Sequence, residues 1–89
     1  MVVQLPHDLD PDFRAEIVQR EKDYSQDLQR RGVWRHLWRV VGEYANYSVL
    51  DVESNDELHK VLSGLPLLPY LKITVIPLAT HPSDIAAGA

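Results

Sequence analysis

The sequence of 89 residues contains no cysteine, which excludes both disulfide bonds and thiolate chemistry. Glycine is also scarce, and the four glycines stand alone without forming a phosphate-binding loop. The four histidines are scattered, and none of them has the spacing of a metal-binding pair. We therefore expect no metal ion and no cofactor.

Positive charge is in the minority as well. Nine Lys and Arg residues stand against thirteen Asp and Glu residues, for a net charge of −4, so broad attraction to nucleic acid is not expected. No apolar run approaches the length of a membrane span, and no basic segment precedes an apolar one at the N-terminus. These absences predict a cytoplasmic protein that binds neither nucleic acid nor membranes.

Hydrophobic periodicity predicts six elements in the order strand, helix, strand, strand, helix, strand. The first helix follows the N-cap Asp10 and ends near Arg30, before Gly32. The second helix follows a capping box formed by Ser54 and Glu57 and ends near residue 64. The outer strands are predicted at residues 2–5 and 71–76, and the two inner strands form a hairpin within residues 32–52.

This order predicts the α+β class and, within it, a ferredoxin-like βαββαβ fold with a four-stranded antiparallel sheet and two helices on one face. The length allows a single domain, residues 1–89, with a core of residues 1–78 and a C-terminal tail of residues 79–89. Because the second sheet face is uncovered and rich in aromatic residues, we expect at least a dimer in which two sheets face each other, as in dimeric α+β barrels.

The hairpin is centred on Gly42 and Glu43, and its two arms are rich in β-branched and aromatic residues. Glycine at the first position of a two-residue turn predicts a tight loop at these residues. The resulting pairs are Val41 with Tyr44, Arg39 with Asn46, Leu37 with Ser48, and Arg35 with Leu50. A three-residue loop would exchange the faces, so this register is a hypothesis.

Period-two alternation separates an apolar face of the hairpin from a polar one. The apolar face carries Trp34, His36 and Trp38 beside Tyr47, and we expect these aromatic residues to fill a core or an interface. His36 is expected to be a hydrogen-bonded interior histidine.

The polar face carries the predicted binding residues. Tyr44, Asn46 and Ser48 could donate hydrogen bonds to an oxyanion or a carboxylate, or else form a polar seam between subunits. Arg35 and Arg39 project on the same face, and either could bind a carboxylate through two parallel hydrogen bonds. Structural ion pairing is an equal alternative for each arginine.

Glu21 is the candidate acid–base residue. It lies on the shoulder of the apolar stripe that Phe13, Ile17, Tyr24 and Leu28 form along the first helix. A carboxyl group at the edge of a buried stripe should have a raised pKa, which suits a general base working near neutral pH. Its position alone favours the alternative, an ordinary boundary residue paired with a neighbouring arginine.

Two sequence segments in the hairpin resemble those of a known family. GVWRHLWR at residues 32–39 and GEYANYSVLDV at residues 42–52 resemble the muconolactone isomerases of aromatic-compound catabolism. EK at residues 21–22, LPLLPY at residues 65–70 and HP at residues 81–82 extend the resemblance over nearly the whole chain. Members of this family start earlier, so the first strand is expected to be shortened here.

The resemblance implies a cofactor-independent isomerase that shifts the ring double bond of muconolactone to give the enol-lactone of 3-oxoadipate. It implies that Glu21 is the proton-transfer carboxylate and that dimers build a larger ring, a decamer, in which C-terminal tails contact neighbours. Two alternatives remain. One is a chloromuconolactone dehalogenase of the same family, and the other is a non-catalytic module that binds a small molecule.

Overall fold

The computed structural model describes residues 1–86, so the last three residues of the predicted tail lie outside the described residues. Its elements follow the predicted order, with a short 3-10 helix before the last strand. They are β1 (Val2–Val3), α1 (Pro11–Arg30), β2 (Trp34–Arg39), β3 (Asn46–Leu50), α2 (Asn55–Ser63), the 3-10 helix (Leu68–Tyr70) and β4 (Leu71–Lys72). The α+β class is confirmed. None of the helices within residues 1–86 is long and apolar enough to cross a membrane.

Both helices begin at the predicted caps. The Asp10 carboxylate accepts a hydrogen bond of 3.1 Å from the backbone N–H of Phe13, which satisfies a donor that α1 itself cannot pair. The hydroxyl of Ser54 accepts an equivalent bond of 3.1 Å from the N–H of Glu57 at the start of α2. Gly32, just after the end of α1, has a φ of +76°. Glycine adopts this left-handed conformation without steric cost, which is why it is common where helices end.

The predicted hairpin register is confirmed near the turn, where Arg39 lies opposite Asn46 and Leu37 opposite Ser48 in antiparallel β2 and β3. It fails at the start of β2.

There Trp34 pairs with Leu50, and Arg35 is the additional residue of a β-bulge. The predicted pair of Arg35 with Leu50 is therefore wrong. Because the bulge shifts the alternation by one residue, Trp34 shares a face with Leu37 and not with Trp38.

The predicted two-residue loop at Gly42 and Glu43 is also wrong. The N–H of Glu43 donates to the carbonyl of Val40 over 3.1 Å, which makes Val41 and Gly42 the central residues of a β-turn. Gly42 has a φ of +79° and so occupies the third turn position, where type II turns require a positive φ.

The outer strands are shorter than predicted. Val2 pairs with Lys72 and Val3 with Leu71, and this two-stranded sheet contacts the hairpin sheet through an antiparallel bridge between Val2 and Ala45. The predicted strand of residues 71–76 is observed only as Leu71–Lys72.

Leu28, Trp34 and Leu65 form the buried centre of the core, and Trp34 is only 4% exposed. Partly buried residues surround them, namely Met1, Tyr24, Val33, Leu50, Val61, Leu62, Leu71 and Ile73. The prediction of a core or interface position therefore holds for Trp34. His36 is exposed on the opposite face, stacked on Trp38 with 4.8 Å between the ring centroids, so the expected interior position of His36 is wrong within this chain.

Helix α1 is joined to α2 through Tyr24. Its hydroxyl donates a hydrogen bond of 2.6 Å to the backbone carbonyl of Val61, and its ring lies against Gly64. A methyl group at Gly64 would collide with the Tyr24 hydroxyl and lie 3.0 Å from ring carbon Cζ. The contact between Tyr24 and residue 64 therefore leaves no room for a larger side chain unless the tyrosine shifts.

We predict that Gly64→Ala lowers the free energy of unfolding by about 1–3 kcal/mol, because the added methyl group overpacks the contact with Tyr24. Urea denaturation at a fixed protein concentration measures this loss. The exposed Ser63→Ala is the matched control and should change stability little. A Gly64→Ala variant as stable as the control would contradict the described contact.

Candidate active site

An open cavity of about 230 Å³ lies between α1, the hairpin and the segment that follows α2. Among the predicted site residues, Glu21, Tyr44 and Asn46 line this cavity, whereas Ser48, Arg35 and Arg39 do not. The full lining consists of Met1, Val3, Val18, Glu21, Lys22, Ser25, Trp34, Leu37, Tyr44, Asn46, Leu67 and Leu71.

One stripe of α1 faces the cavity. Val18, Glu21, Lys22 and Ser25 are three, four and seven residues apart, which places them on the same side of a helix. The adjoining stripe, which includes the buried Ile17, packs into the protein. Glu21 lies on the border of the two stripes, so its carboxyl group is partly removed from water while it still reaches the cavity.

The Glu21 carboxylate has a fixed hydrogen-bond donor. Its Oε2 accepts a bond of 3.0 Å from the backbone N–H of Leu67, and burial raises the pKa of this carboxyl above its ordinary value of 4.5. The Leu67 N–H acts in the opposite direction, because it stabilises the charged form, but burial is the larger effect. A carboxyl group with a raised pKa is suited to exchanging a proton near neutral pH.

The Leu67 N–H is held in place by its own segment. Leu65 and Leu67 are both buried, and the N–H of Leu68 donates to the carbonyl of Leu65 over 3.0 Å. Pro66 and Pro69 restrict the backbone on either side. This segment therefore presents its N–H to Glu21 from a packed and conformationally restricted turn.

Tyr44 and Asn46 bring hydrogen-bonding groups to the other side of the cavity. The predicted third member of this row, Ser48, does not line the cavity. Its hydroxyl instead donates a hydrogen bond of 2.8 Å to Oδ1 of Asn46. The Asn46 carbonyl oxygen is thereby engaged, which leaves the amide NH₂ as the group available to an occupant of the cavity.

The two predicted arginines make other contacts. Arg35 protrudes at the bulge, and its guanidinium lies 3.6 Å from the carboxylate of Asp51, with both side chains largely exposed. Arg39 lies over the ring of Tyr44, 5.3 Å from its centroid. Their role in binding a carboxylate stays a prediction, and neither side chain lines the cavity around Glu21.

No group of three or more histidine, aspartate or glutamate side chains within residues 1–86 is arranged to hold a metal ion.

A family model described as muconolactone delta-isomerase matches residues 1–84. The chain belongs to the muconolactone delta-isomerase family. The muconolactone delta-isomerase of Cupriavidus pinatubonensis is 61% identical to it over 85 residues, which cover 96% of this chain and 92% of that relative. The relative from Rhodococcus opacus is 54% identical, with coverage of 96% and 91%, and that from Pseudomonas aeruginosa is 49% identical, with coverage of 98% and 91%.

The fold agrees with this family assignment. A crystal structure of muconolactone isomerase superimposes on this chain with a TM-score of 0.88 and 52% sequence identity. The match covers 94% of this chain and 88% of that structure. The α+β architecture of the muconolactone delta-isomerase family is thus shared over nearly all of the sequence.

Sequence reasoning missed most of the cavity lining, including Lys22 and Trp34. Lys22 has the helical spacing from Val18 and Ser25 described above, so a second stripe on α1 could have revealed it. Trp34 could not have been found in this way, because the bulge at Arg35 places it in the lining. The indole Nε1 of Trp34 is buried and has no hydrogen-bond partner within the described part of the chain.

We predict that Glu21→Gln is more stable relative to the wild type at pH 8 than at pH 4. A raised pKa in the folded state means that ionised Glu21 is disfavoured there, so the wild type loses stability as the pH rises through this pKa. Glutamine keeps an oxygen for the Leu67 N–H and carries no charge. Urea denaturation at both pH values measures the difference, and equal differences at pH 4 and pH 8 would contradict the raised pKa.

Proposed function

We propose that this chain isomerises muconolactone without a cofactor and that Glu21 carries the proton between two carbon atoms of the lactone ring. As a member of the muconolactone delta-isomerase family, the chain is an isomerase of aromatic-compound catabolism. The observation that supports a role for Glu21 is its partly buried carboxyl group, which lines the cavity together with Tyr44 and Asn46.

The reaction moves one proton and one double bond. The Glu21 carboxylate removes the ring proton γ to the lactone carbonyl, and the electrons of the broken C–H bond pass through the ring double bond onto the carbonyl oxygen as a dienolate. The same carboxyl group then returns the proton to the α carbon. This step re-forms the carbonyl, leaves the double bond in its new position and regenerates the carboxylate.

The dienolate oxygen needs hydrogen-bond donors, since negative charge develops there during proton removal. We assign this role to the Tyr44 hydroxyl and the Asn46 amide NH₂, which lie two residues apart near the start of β3 and line the same cavity as Glu21. The hydrogen bond from Ser48 to Oδ1 of Asn46 orients the Asn46 amide so that its NH₂ group points away from Ser48. In this proposal the base lies on α1 and the hydrogen-bond donors lie near the start of β3.

The contact with Leu67 also fits this role. A hydrogen bond to Oε2 leaves Oε1 of Glu21 as the oxygen that can take the proton. Because burial outweighs the effect of this bond on the pKa of Glu21, the carboxylate is a stronger base than an ordinary glutamate, which favours proton removal from carbon.

We predict that Glu21→Gln lowers the turnover of muconolactone by about 10²–10⁴-fold, equivalent to about 3–5 kcal/mol of barrier. The loss should fall on kcat more than on KM, because the carboxylate acts in the transition state. An ultraviolet assay without added metal or nucleotide measures it, and the exposed Glu16→Gln on the same helix is the control.

Near-full activity of a correctly assembled Glu21→Gln protein would exclude Glu21 as the proton carrier. Binding of muconolactone by the wild type without any turnover would instead favour a non-catalytic binding module.

We further propose that the two described sheets act as one ferredoxin-like sheet with the strand order β4-β1-β3-β2, paired with the sheet of a second copy. The Val2–Ala45 bridge supports the order. The exposed side chains of Trp38 (55%) and Tyr47 (71%) support the pairing, because a monomer would leave both aromatic residues in water.

We predict that Tyr47→Glu weakens self-association, because it places a charge in the centre of this face. Sedimentation velocity at micromolar concentration measures the change. Phe13→Glu, which adds the same charge to an exposed apolar residue of α1, is the control. A wild type that sediments as a monomer would exclude the proposed dimer and, with it, the larger ring.

A further inference from the structure

We propose that Lys22 binds the carboxylate of the substrate and selects anionic lactones over neutral ones. The proposal rests on the isomerase function of the preceding section, since it concerns the substrate of that cavity. It gives to α1 a role that the sequence pattern assigned to the arginines of β2.

Lys22 is the one cationic side chain in the lining of the cavity within residues 1–86. It follows Glu21 directly and belongs to the same stripe of α1 as Val18 and Ser25. The ion pairs of the described residues are Arg31 with Asp27 and Arg35 with Asp51, so Lys22 lies in neither. Its ammonium group is thus available to an anion in the cavity.

The backbone that carries Lys22 is fixed. The hydroxyl of the buried Ser25 donates a hydrogen bond of 3.0 Å to the carbonyl of Lys22 one turn before it. The flexible four-carbon stem can then place the ammonium group over a range of positions at the cavity edge. Such a side chain suits a carboxylate on a substituent outside the reacting ring.

Charge gives the physical reason for a cation at this place. Muconolactone is an anion, the chain carries a net charge of −4, and the base Glu21 must be ionised to accept a proton. An anionic substrate is therefore repelled by the group that reacts with it. A cation next to Glu21 offsets this repulsion and holds the carboxylate end of the substrate, so that the ring can face Glu21.

The arginines lie outside this cavity, although Arg39 lines an adjoining pocket that shares Tyr44 and Asn46 with it. Arg35 points away at the bulge beside Asp51, and Arg39 lies against the ring of Tyr44. Neither guanidinium shares the lining of the cavity with Glu21.

The test combines a change in the enzyme with a change in the substrate. Steady-state kinetics are measured for the wild type and for Lys22→Gln, with muconolactone and with its methyl ester, in which the carboxylate is neutral. Lys22→Arg retains the charge, and Lys60→Gln removes an exposed lysine from α2 as the matched control. Circular dichroism and sedimentation establish that all variants are folded and assembled alike.

We expect Lys22→Gln to raise the KM for muconolactone by about 10-fold or more, the range for losing a hydrogen bond to a charged group, with a smaller change in kcat. The KM for the methyl ester should be the same for the wild type and Lys22→Gln. Lys22→Arg and Lys60→Gln should resemble the wild type with both substrates.

Two results would overturn the proposal. In one, Lys22→Gln keeps the wild-type KM for muconolactone, which would locate the carboxylate elsewhere. In the other, Lys22→Gln raises the KM for muconolactone and the KM for the ester equally, which would show that Lys22 does not act on the carboxylate.

If the wild type turns over neither compound, the proposed function fails independently of the role of Lys22. Calorimetric binding of muconolactone to the wild type and to Lys22→Gln then decides the role of Lys22. Weaker binding by Lys22→Gln supports it, and equal binding or no binding to either protein overturns it.

Discussion

The contact between α1 and the segment that follows α2 is the constraint on which the candidate site depends. It brings the Leu67 N–H to the carboxylate of Glu21, 46 residues earlier in the sequence. Tyr24, one turn along α1, bonds to the carbonyl of Val61 in α2, just before that segment, and Gly64 leaves room for its ring. The acid–base residue is therefore positioned by long-range packing, whereas its helix is specified by local signals.

The cavity combines two environments that a single element could not supply. Helix α1 provides a carboxyl group whose basicity is raised by exclusion of water, because burial has a larger effect on the Glu21 pKa than the donor from Leu67. The hairpin provides neutral donors, with Asn46 oriented by Ser48. In the proposed reaction, the groups that stabilise the charge on the dienolate oxygen and the group that transfers the proton therefore lie on different parts of the backbone.

Several local signals in the sequence were sufficient, although the turn type at Gly42 was not among them. The cap at Asp10, the capping box at Ser54, the antiparallel hairpin and the position of Glu21 on a helix shoulder follow from neighbouring residues alone. The bulge at Arg35 does not, because it accompanies the burial of Trp34 against Leu28 and against Leu65, which is distant in sequence. One additional residue reversed the face of Trp34 and turned Arg35 to solvent, so the predicted arginines could not be placed by alternation.

The N-terminus has a consequence for handling the protein. Met1 exchanges two backbone hydrogen bonds with Asn46, one donated by each residue, at 2.8 and 2.9 Å. Residues joined ahead of Met1 in an extended conformation would continue antiparallel along β3, past Tyr47, whose outer edge carries no further backbone pairing within residues 1–86. An affinity tag fused to Met1 in that conformation would lie along β3 close to Asn46, which lines the cavity. Kinetic constants measured on tagged protein should accordingly be compared with those of the untagged protein.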